Sequence, residues 1–236
     1  MSKLSQQFSR QHVLLPVIHA ITTEQALRNA QIARDNGADG VFVINHEIDG
    51  QRPLDFRALL ALRSAVAAAL PGFWVGVNCL DLSAAEVFTA VDNNVPGVWT
   101  DNAHIDDADG ELQAAKAVDA KRQGYAGLYF GGVAFKYQAP VADEAVTAAR
   151  SRAHMDVVTT SGAATGSPAD MAKIHRMNAA LAGHPLGIAS GITPENVAAY
   201  LPYVSCFLVA TGISRTFTEL DPARVRLLAD LIRAAG

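Results

Sequence analysis

The feature that most limits the possible folds of this chain is a pattern repeated along its length. A short apolar run is followed by a stretch with helical spacing. Runs such as 13–18 and 40–44 are apolar on both faces of an extended chain, as parallel strands are when helices cover both sides of the sheet. The helical stretches place apolar residues three or four positions apart, as Val225, Leu228 and Ile232 do. Alternating strand and helix predict an α/β protein.

Eight such units can be counted, and eight parallel strands close a barrel. The sequence therefore predicts a (β/α)8 TIM barrel in a single domain over residues 1–236, with a short polar lead at 1–11. A doubly wound open sheet would usually carry its glycine motif near the start of the chain. The apolar runs lie at 13–18, 40–44, 73–77, 97–99, 127–130, 156–159, 185–188 and 206–209.

The charge balance argues against a nucleic-acid partner. Lys and Arg number 19 and Asp and Glu number 23, so the formal net charge is −4. No basic run with interleaved aromatic residues is present, and such a run is what a nucleic-acid surface needs. We therefore expect the partner to be a small molecule.

The cysteines and the apolar stretches indicate a protein of the cytoplasm. The two cysteines, Cys79 and Cys206, lie inside apolar runs and lack the spacing of a metal site or a disulfide framework. Residues 1–11 form no apolar signal segment, and the long uncharged stretch 64–80 is interrupted by a Pro-Gly pair. We expect no membrane insertion and a cytoplasmic location.

Three glycine-containing turns follow the last three apolar runs, and each precedes a predicted helix. Glycine allows a backbone to approach an anion closely, and helix N-termini point N–H donors at it. The turns therefore predict a phosphate site, although glycine, serine and threonine are also common in short connections. The helices are expected to begin at Ser167-Pro168, Thr193-Pro194 and Asp221-Pro222. The predicted phosphate-binding residues are Ser161, Gly162, Thr165, Gly166, Ser190, Gly191, Thr211 and Gly212.

A second group of polar residues follows the strands at the end of the barrel where active sites lie. Lys136 ends a run that is otherwise without charge, with a glycine pair at 131–132 read as a bulge. Its amine could form a Schiff base, transfer a proton or clamp an anion. Each residue also has a purely structural alternative, such as capping a turn or facing solvent. The predicted catalytic residues are His19, Glu47, Asn78, Asp101 and Lys136.

No cofactor motif stands out in the chain. The sequence has no H-E-x-x-H, C-x-x-C, Walker A or G-x-S-x-G motif. Glu47 and Asp101, together with asparagine side chains, could hold Mg²⁺ because hard cations prefer oxygen ligands. Magnesium is therefore the one cofactor left open, and no other metal is expected.

Two of the glycine turns resemble motifs of the BtpA/SgcQ-like family. Residues 161–166 resemble its S-G-x-x-T-G, and residues 190–197 resemble its S-G-x-T-P-E-N-V. Weaker similarities are Gly76-Val77-Asn78, Phe135-Lys136 and Glu47. The resemblance implies a phosphate-binding-type TIM barrel, in a family named partly for a role in photosystem I biogenesis.

The chain departs from the family pattern at two places. Residues 20–22 stand where the family has a proline-rich loop, and Tyr137 stands where histidine is usual. We therefore expect a lyase or isomerase acting on a sugar-phosphate or phosphoribosyl-type metabolite, with a substrate particular to this chain. The alternative is an assembly or regulatory factor that retains a ligand pocket. Barrels of this size often associate through their outer helices, so a homo-oligomer is a further expectation.

Overall fold

Eight parallel strands close into a barrel in sequence order, which confirms the predicted TIM barrel. This computed structural model describes residues 1–48, 50, 52–105 and 110–236, and for residues 110–112 it describes only the backbone. All residues of the eight strands are buried. The strands are β1 Val13–His19, β2 Gly40–Asn45, β3 Trp74–Cys79, β4 Gly97–Thr100, β5 Leu128–Gly132, β6 Val157–Thr160, β7 Leu186–Ala189 and β8 Cys206–Val209.

Helices follow the strands and cover the barrel, and a hairpin follows β8. They are α1 Lys3–Phe8, α2 Thr23–Asp35, α3 Phe56–Ala69, α4 Ala84–Ala90, α5 Gly110–Lys121, α6 Glu144–Ser151, α7 Met171–Leu181, α8 Val197–Tyr200 and α9 Pro222–Arg233. The hairpin pairs β9 Ser214–Thr216 with β10 Glu219–Leu220. Within the described residues, no helix is both long enough and apolar enough to cross a membrane.

Side-chain caps fix where several helices begin. Ser83 accepts a hydrogen bond from the Glu86 N–H, and the Glu86 carboxylate accepts one from the Ser83 N–H, as the sequence pattern predicts. Asp221 accepts hydrogen bonds from two N–H groups at the start of α9. The other two predicted starts are wrong, because Asp170 caps α7 and α8 begins only at Val197.

Two further details of the predicted units are corrected. The glycine pair Gly131-Gly132 forms no bulge, because both residues keep regular register with β6. A Cβ at Gly132 would lie 1.9 Å from the Asp101 carbonyl oxygen. Glycine is therefore needed here because the backbone of β5 lies so close to the end of β4. The spacing of Val146, Ala149 and Ala153 also predicts an apolar face for α6, and this prediction is wrong. Val146 is 53% exposed, and Thr147 and Ala148 face the core instead.

Large aromatic rings fill the interior of the barrel. Phe42 packs edge-on against Trp74 and Phe130, with ring centroids 5.1 Å apart in each case. Trp99 lies 5.7 Å from Phe42 in the same manner. A second core cluster joins the outer faces of the strands to the helices. Because Trp74 is so large, a Cβ at Gly97 would lie 2.2 Å from its Cζ2 atom.

The N-terminal lead includes a short helix that packs at the end of the barrel where the strands begin. Ser2 caps α1 by accepting a hydrogen bond from the Ser5 N–H. Leu4 is 2% exposed and belongs to the cluster inside the barrel. Phe8 lies 5.5 Å from Trp74, measured between ring centroids. The lead therefore contributes to the core.

Adding a methyl group at Gly97 tests the packing around Trp74. We expect Gly97→Ala to lower the free energy of unfolding by about 1–3 kcal/mol, the usual cost of overpacking. In a Trp74→Phe background the same change should cost less, because phenylalanine lacks the Cζ2 and Cη2 atoms of the indole that Gly97 approaches. Urea unfolding of the four proteins measures both costs. Equal costs in the two backgrounds would contradict this account of Gly97.

Candidate functional site

A cavity of about 150 Å³ lies at the carboxyl ends of the barrel strands. We call it the barrel cavity. Its walls come from the ends of the eight strands and the loops that follow them, and Trp99, Ala189 and Leu208 form part of its apolar lining. Seven of the residues predicted from the sequence line it: His19, Asp101, Lys136, Thr165, Gly166, Ser190 and Thr211.

The other predicted residues lie outside this lining. Glu47 is exposed after β2, so the Mg²⁺ pair predicted from Glu47 and Asp101 is not brought together in the cavity wall. Asn78 and Ser161 are fully buried and act on residues that do line the cavity. Within the part of the chain that the structure describes, no cluster of three or more His, Cys, Asp or Glu side chains is placed to hold a metal ion. Of the predicted site residues, Gly162, Gly191 and Gly212 also lie outside the cavity lining.

His19 at the end of β1 is held as a neutral imidazole. Its Nδ1 lies 2.7 Å from the Phe217 carbonyl oxygen, and since a carbonyl can only accept, Nδ1 carries the proton. The ring stacks on Phe217 at 3.9 Å between centroids and meets His46 edge-on at 5.5 Å. Burial, together with the smaller effect of the His46 and Lys136 charges, lowers the pKa of His19 to about 4, although the hydrogen bond to Phe217 acts in the opposite direction. Its Nε2 atom is therefore a hydrogen-bond acceptor at neutral pH.

The hairpin that carries Phe217 is fixed to α2. Gln25 and Asn29 of α2 both donate side-chain hydrogen bonds to the Thr218 carbonyl, at 2.7 and 3.1 Å. The Leu220 N–H donates in return to Asn29 Oδ1 at 2.7 Å. These buried amides hold the hairpin over the β1 side of the barrel cavity.

Asp101, just after β4, is a carboxyl group removed from water. Asn78 Nδ2 donates to its Oδ1 at 2.9 Å. Burial raises the pKa of Asp101, while the Asn78 hydrogen bond and the Lys136 charge act in the opposite direction. The Gln138 side chain donates to the Asp101 carbonyl oxygen and so holds the backbone at this point.

Lys136 lies four residues beyond the end of β5, in a turn rather than at the strand end that the sequence predicts. Its N–H donates to Ser161 Oγ at 2.7 Å. The neighbouring Ala134 and Tyr137 have φ angles of 47° and 63°, in the left-handed region that non-glycine residues rarely adopt. Burial lowers the pKa of Lys136, and the Asp101 charge opposes that shift. Among the described residues, the amine and this carboxylate form no ion pair within 4 Å.

Three of the predicted phosphate-site glycines serve close backbone contacts. A Cβ at Gly162 would lie 2.1 Å from the Ser167 carbonyl oxygen of the same loop, and one at Gly191 would lie 2.3 Å from the same group. A Cβ at Gly212 would lie 1.9 Å from the Ile192 carbonyl oxygen. Gly162 therefore lets the loop after β6 fold back on itself, and Gly191 and Gly212 let the loops after β6, β7 and β8 pack backbone against backbone. A valine at Gly191 would break this packing whether or not a ligand binds there.

The glycine turns also predict anion donors at the N–H groups of Thr193 and Ile213 and a charge from Arg215, but these groups are already used within the protein. The Thr193 N–H donates to Asn196 Oδ1, and the Ile213 N–H donates to the Ala210 carbonyl. Arg215 pairs with Asp221 at 3.2 Å. In the described part of the chain, the N–H groups of Gly191 and Gly212 have no acceptor.

Side-chain hydroxyls also face this side of the cavity. Ser190 has a φ of 101°, and its Oγ accepts from the Gly166 N–H and donates to the Ala164 carbonyl, each at 3.0 Å. The Thr165 N–H donates to the Tyr137 hydroxyl at 3.2 Å. The Thr211 hydroxyl lines the cavity beside Gly166.

Three residues of the site were not among the predicted catalytic or phosphate-binding residues. His46 lines the cavity and follows β2, where its position after a strand was a usable signal. Tyr137 lines it directly after Lys136, so the departure from the family pattern at this position marked it. Phe217 lies 198 residues from His19 in sequence, so no local sequence pattern could predict that contact.

Residues 16–234 match the BtpA family, and the chain belongs to this family. No curated protein matches the chain.

Solved structures with similar folds are TIM-barrel enzymes. One is a phosphoribosyl anthranilate isomerase from Thermus thermophilus, with 16% identity, a TM-score of 0.65, and 95% of this chain and 100% of that chain covered. Another is a (S)-3-O-geranylgeranylglyceryl phosphate synthase from Thermoplasma acidophilum in complex with sn-glycerol-1-phosphate, with 15% identity, a TM-score of 0.67 and 99% of each chain covered. A tryptophan synthase structure from Mycobacterium tuberculosis has 15% identity, a TM-score of 0.68 and 98% of each chain covered. At these identities the likeness shows the fold alone.

The buried neutral imidazole predicts a pH dependence of stability. Because the pKa of His19 is lowered from 6.5 to about 4 in the folded protein, only the unfolded chain binds this proton between those values. Stability should therefore fall as pH drops through this window, by up to about 3 kcal/mol from this group. His19→Asn keeps an N–H donor for the Phe217 carbonyl but does not titrate. Urea unfolding at pH 7 and 4.5 should show a smaller loss in the variant, and an equal loss would refute the assignment.

Proposed function

We propose that this member of the BtpA family binds a small phosphorylated metabolite in the barrel cavity and acts on it as a lyase or isomerase. The observation that carries the proposal is the arrangement of Lys136 and Asp101 in the wall of one cavity. Burial shifts the pKa of each group toward its neutral form, and no ion pair within 4 Å joins them in the described structure. An amine and a carboxyl group in this condition suit proton transfer.

The phosphate would bind on the side of the cavity formed after β6, β7 and β8. Hydroxyl groups of Thr165, Ser190 and Thr211 line that side, and the N–H groups of Gly191 and Gly212 are the nearby unused donors. No arginine is among the described residues that line the cavity. Affinity would therefore come from neutral donors, together with the charge of Lys136.

The reaction would take place between this side and Asp101. With a lowered pKa, the Lys136 amine can lose its proton more readily and take one from a carbon or hydroxyl of the substrate. Asp101, with a raised pKa, can return a proton to another atom of the substrate, and Asn78 fixes its carboxyl group through Oδ1. Such a pair performs an isomerisation, or a bond cleavage when the first proton comes from a hydroxyl. His19 Nε2 can accept a hydrogen bond from a substrate hydroxyl.

Similar structures give this proposal indirect support. Two of them bear names that refer to phosphoribosyl and glyceryl phosphate compounds, and one was solved with sn-glycerol-1-phosphate. The rival function is an assembly or regulatory role, which the resemblance to the family allows. Turnover of any phosphorylated compound distinguishes the two functions.

We further propose a cytoplasmic location and a homo-oligomeric assembly. Cys79 and Cys206 are both buried and unpaired, which fits a reducing cytoplasm. A homo-oligomer of this chain would cover Leu227 and Leu231, which are exposed on α9.

The phosphate site is tested by removing one hydroxyl. A thermal-shift screen of sugar phosphates and phosphoribosyl compounds identifies a ligand, since binding at about 100 times Kd stabilises by about 2.7 kcal/mol. Thr211→Val replaces the hydroxyl with a methyl group of similar size and should weaken the ligand about tenfold, the loss of one hydrogen bond to a charged group. Calorimetry measures Kd, with Thr89→Val on the exposed face of α4 as the matched control. An unchanged Kd for Thr211→Val would place the phosphate elsewhere.

Replacing Lys136 tests its chemical role. Lys136→Met should reduce turnover by about a thousandfold or more, as loss of a proton-transfer group usually does. Lys136→Arg should restore binding if the lysine is a clamp and should stay inactive if the lysine reacts. Borohydride added with substrate should label only a lysine that forms a Schiff base. Lys116→Met, on the exposed surface of α5, is the control. If Lys136→Met keeps turnover and affinity within a few-fold, Lys136 has a structural role only.

A further inference from the structure

A second cavity of about 420 Å³ adjoins the barrel cavity on its β5–β6 side. We call it the side cavity. The two cavities share Lys136 and Tyr137 in their walls, and Ser161 and Gly162 separate the side cavity from the core below. The proposed function leaves this space unused, although Lys136 faces both cavities.

The barrel cavity alone is small for a phosphorylated metabolite. A water molecule needs about 10–15 Å³ on this measure of volume, so about 150 Å³ holds on the order of ten atoms. A phosphate group takes about half of that space, which leaves room for only a few carbon atoms. A larger organic group must extend into a neighbouring space.

Tyr137 forms the wall between the two cavities. Its hydroxyl accepts a hydrogen bond from the Thr165 N–H at 3.2 Å and lies 3.3 Å from the Thr165 hydroxyl. The side chain is 76% exposed, and its backbone has the unfavourable φ of 63°. Little therefore holds this side chain in place beyond two contacts to Thr165. An anion that takes the Thr165 N–H would displace the tyrosine hydroxyl and open the wall.

The side cavity is suited to an uncharged group. Apart from Lys136, its ionic side chains already have partners, since Glu144 pairs with Arg176 at 2.9 Å and Lys173 donates to the Ser161 carbonyl at 3.0 Å. Asp170 accepts from the Ala172 N–H at the start of α7. The remaining lining includes the apolar residues Pro140, Val141, Ala163 and Pro168.

We propose that the side cavity is the subsite for the ring-bearing part of a phosphate monoester whose phosphate lies in the barrel cavity. Tyr137 is the movable wall between the two parts. The inference rests on the proposed phosphate site, and it adds a substrate class: phosphate monoesters that carry a compact, uncharged ring.

Calorimetry with inorganic phosphate and with phenyl phosphate separates the two proposals. Inorganic phosphate reports the phosphate site alone, and phenyl phosphate should bind about tenfold more tightly because its ring leaves water. Val141→Trp fills the side cavity, so it should remove this advantage and leave the affinity for inorganic phosphate within about twofold. Val146→Trp, at an exposed position of α6, is the matched control and should change neither affinity. Tyr137→Gly, which suits the positive φ, should tighten phenyl phosphate further.

Methyl NMR of the unaltered protein gives a second readout that needs no variant. Phenyl phosphate should shift the Val141 methyl signals, and inorganic phosphate should leave them in place. If both compounds bind with equal affinity, or if Val141→Trp leaves the phenyl phosphate affinity unchanged, the side-cavity subsite is refuted while the phosphate site stands. If inorganic phosphate does not bind and phenyl phosphate leaves Val141 unshifted, both proposals fail.

Discussion

The packing of large rings inside the barrel is the constraint on which the rest of the structure depends. Trp74 fits because the strands beside it carry glycine, and a Cβ at Gly40 or Gly97 would lie 3 Å or less from its atoms. Phe42 and Phe130 then meet it edge-on or tilted, which aromatic rings prefer. Above these filled layers, the barrel cavity lies beside Trp99 at the carboxyl ends of the strands. The candidate site therefore lies at the end of the barrel where the packed core ends.

The glycines of the last three loops act on this site indirectly. In sequence they look like residues that let a ligand approach the backbone, and the family resemblance favours the same interpretation. In the structure, Gly162 lets the loop after β6 fold back on itself, and Gly191 and Gly212 let neighbouring loops approach one another. The consequence for the site is nevertheless real, because the packed loops bring Ser190 and Thr211 to one side of the cavity. A motif can thus mark a binding region while its glycines serve the scaffold.

Short sequence patterns correctly predict those features that depend on interactions between residues close together in the chain. The apolar runs give the strands, and residues such as Ser83 and Asp221 give the starts of their helices, because capping acts within a few residues. The predictions fail where distant parts of the chain decide. The helices expected at 167 and 193 begin later, since the loops after β6 and β7 first pack on each other. The protonation of His19 depends on Phe217, which a hairpin brings from the far end of the chain.

The environment of Lys136 shows how a backbone can prepare a reactive group. The chain leaves β5 through Ala134 and Tyr137, each at a positive φ, and such residues cost about 1–3 kcal/mol each. Ser161 accepts from the Lys136 N–H, and Lys173 donates to the Ala134 and Ser161 carbonyls, so polar contacts hold the strained turn against β6. That turn brings an amine into a half-buried wall beside Asp101, where both groups are partly removed from water. The lowered pKa of Lys136 therefore depends on the path of the backbone after β5, because this path places the amine in the cavity wall.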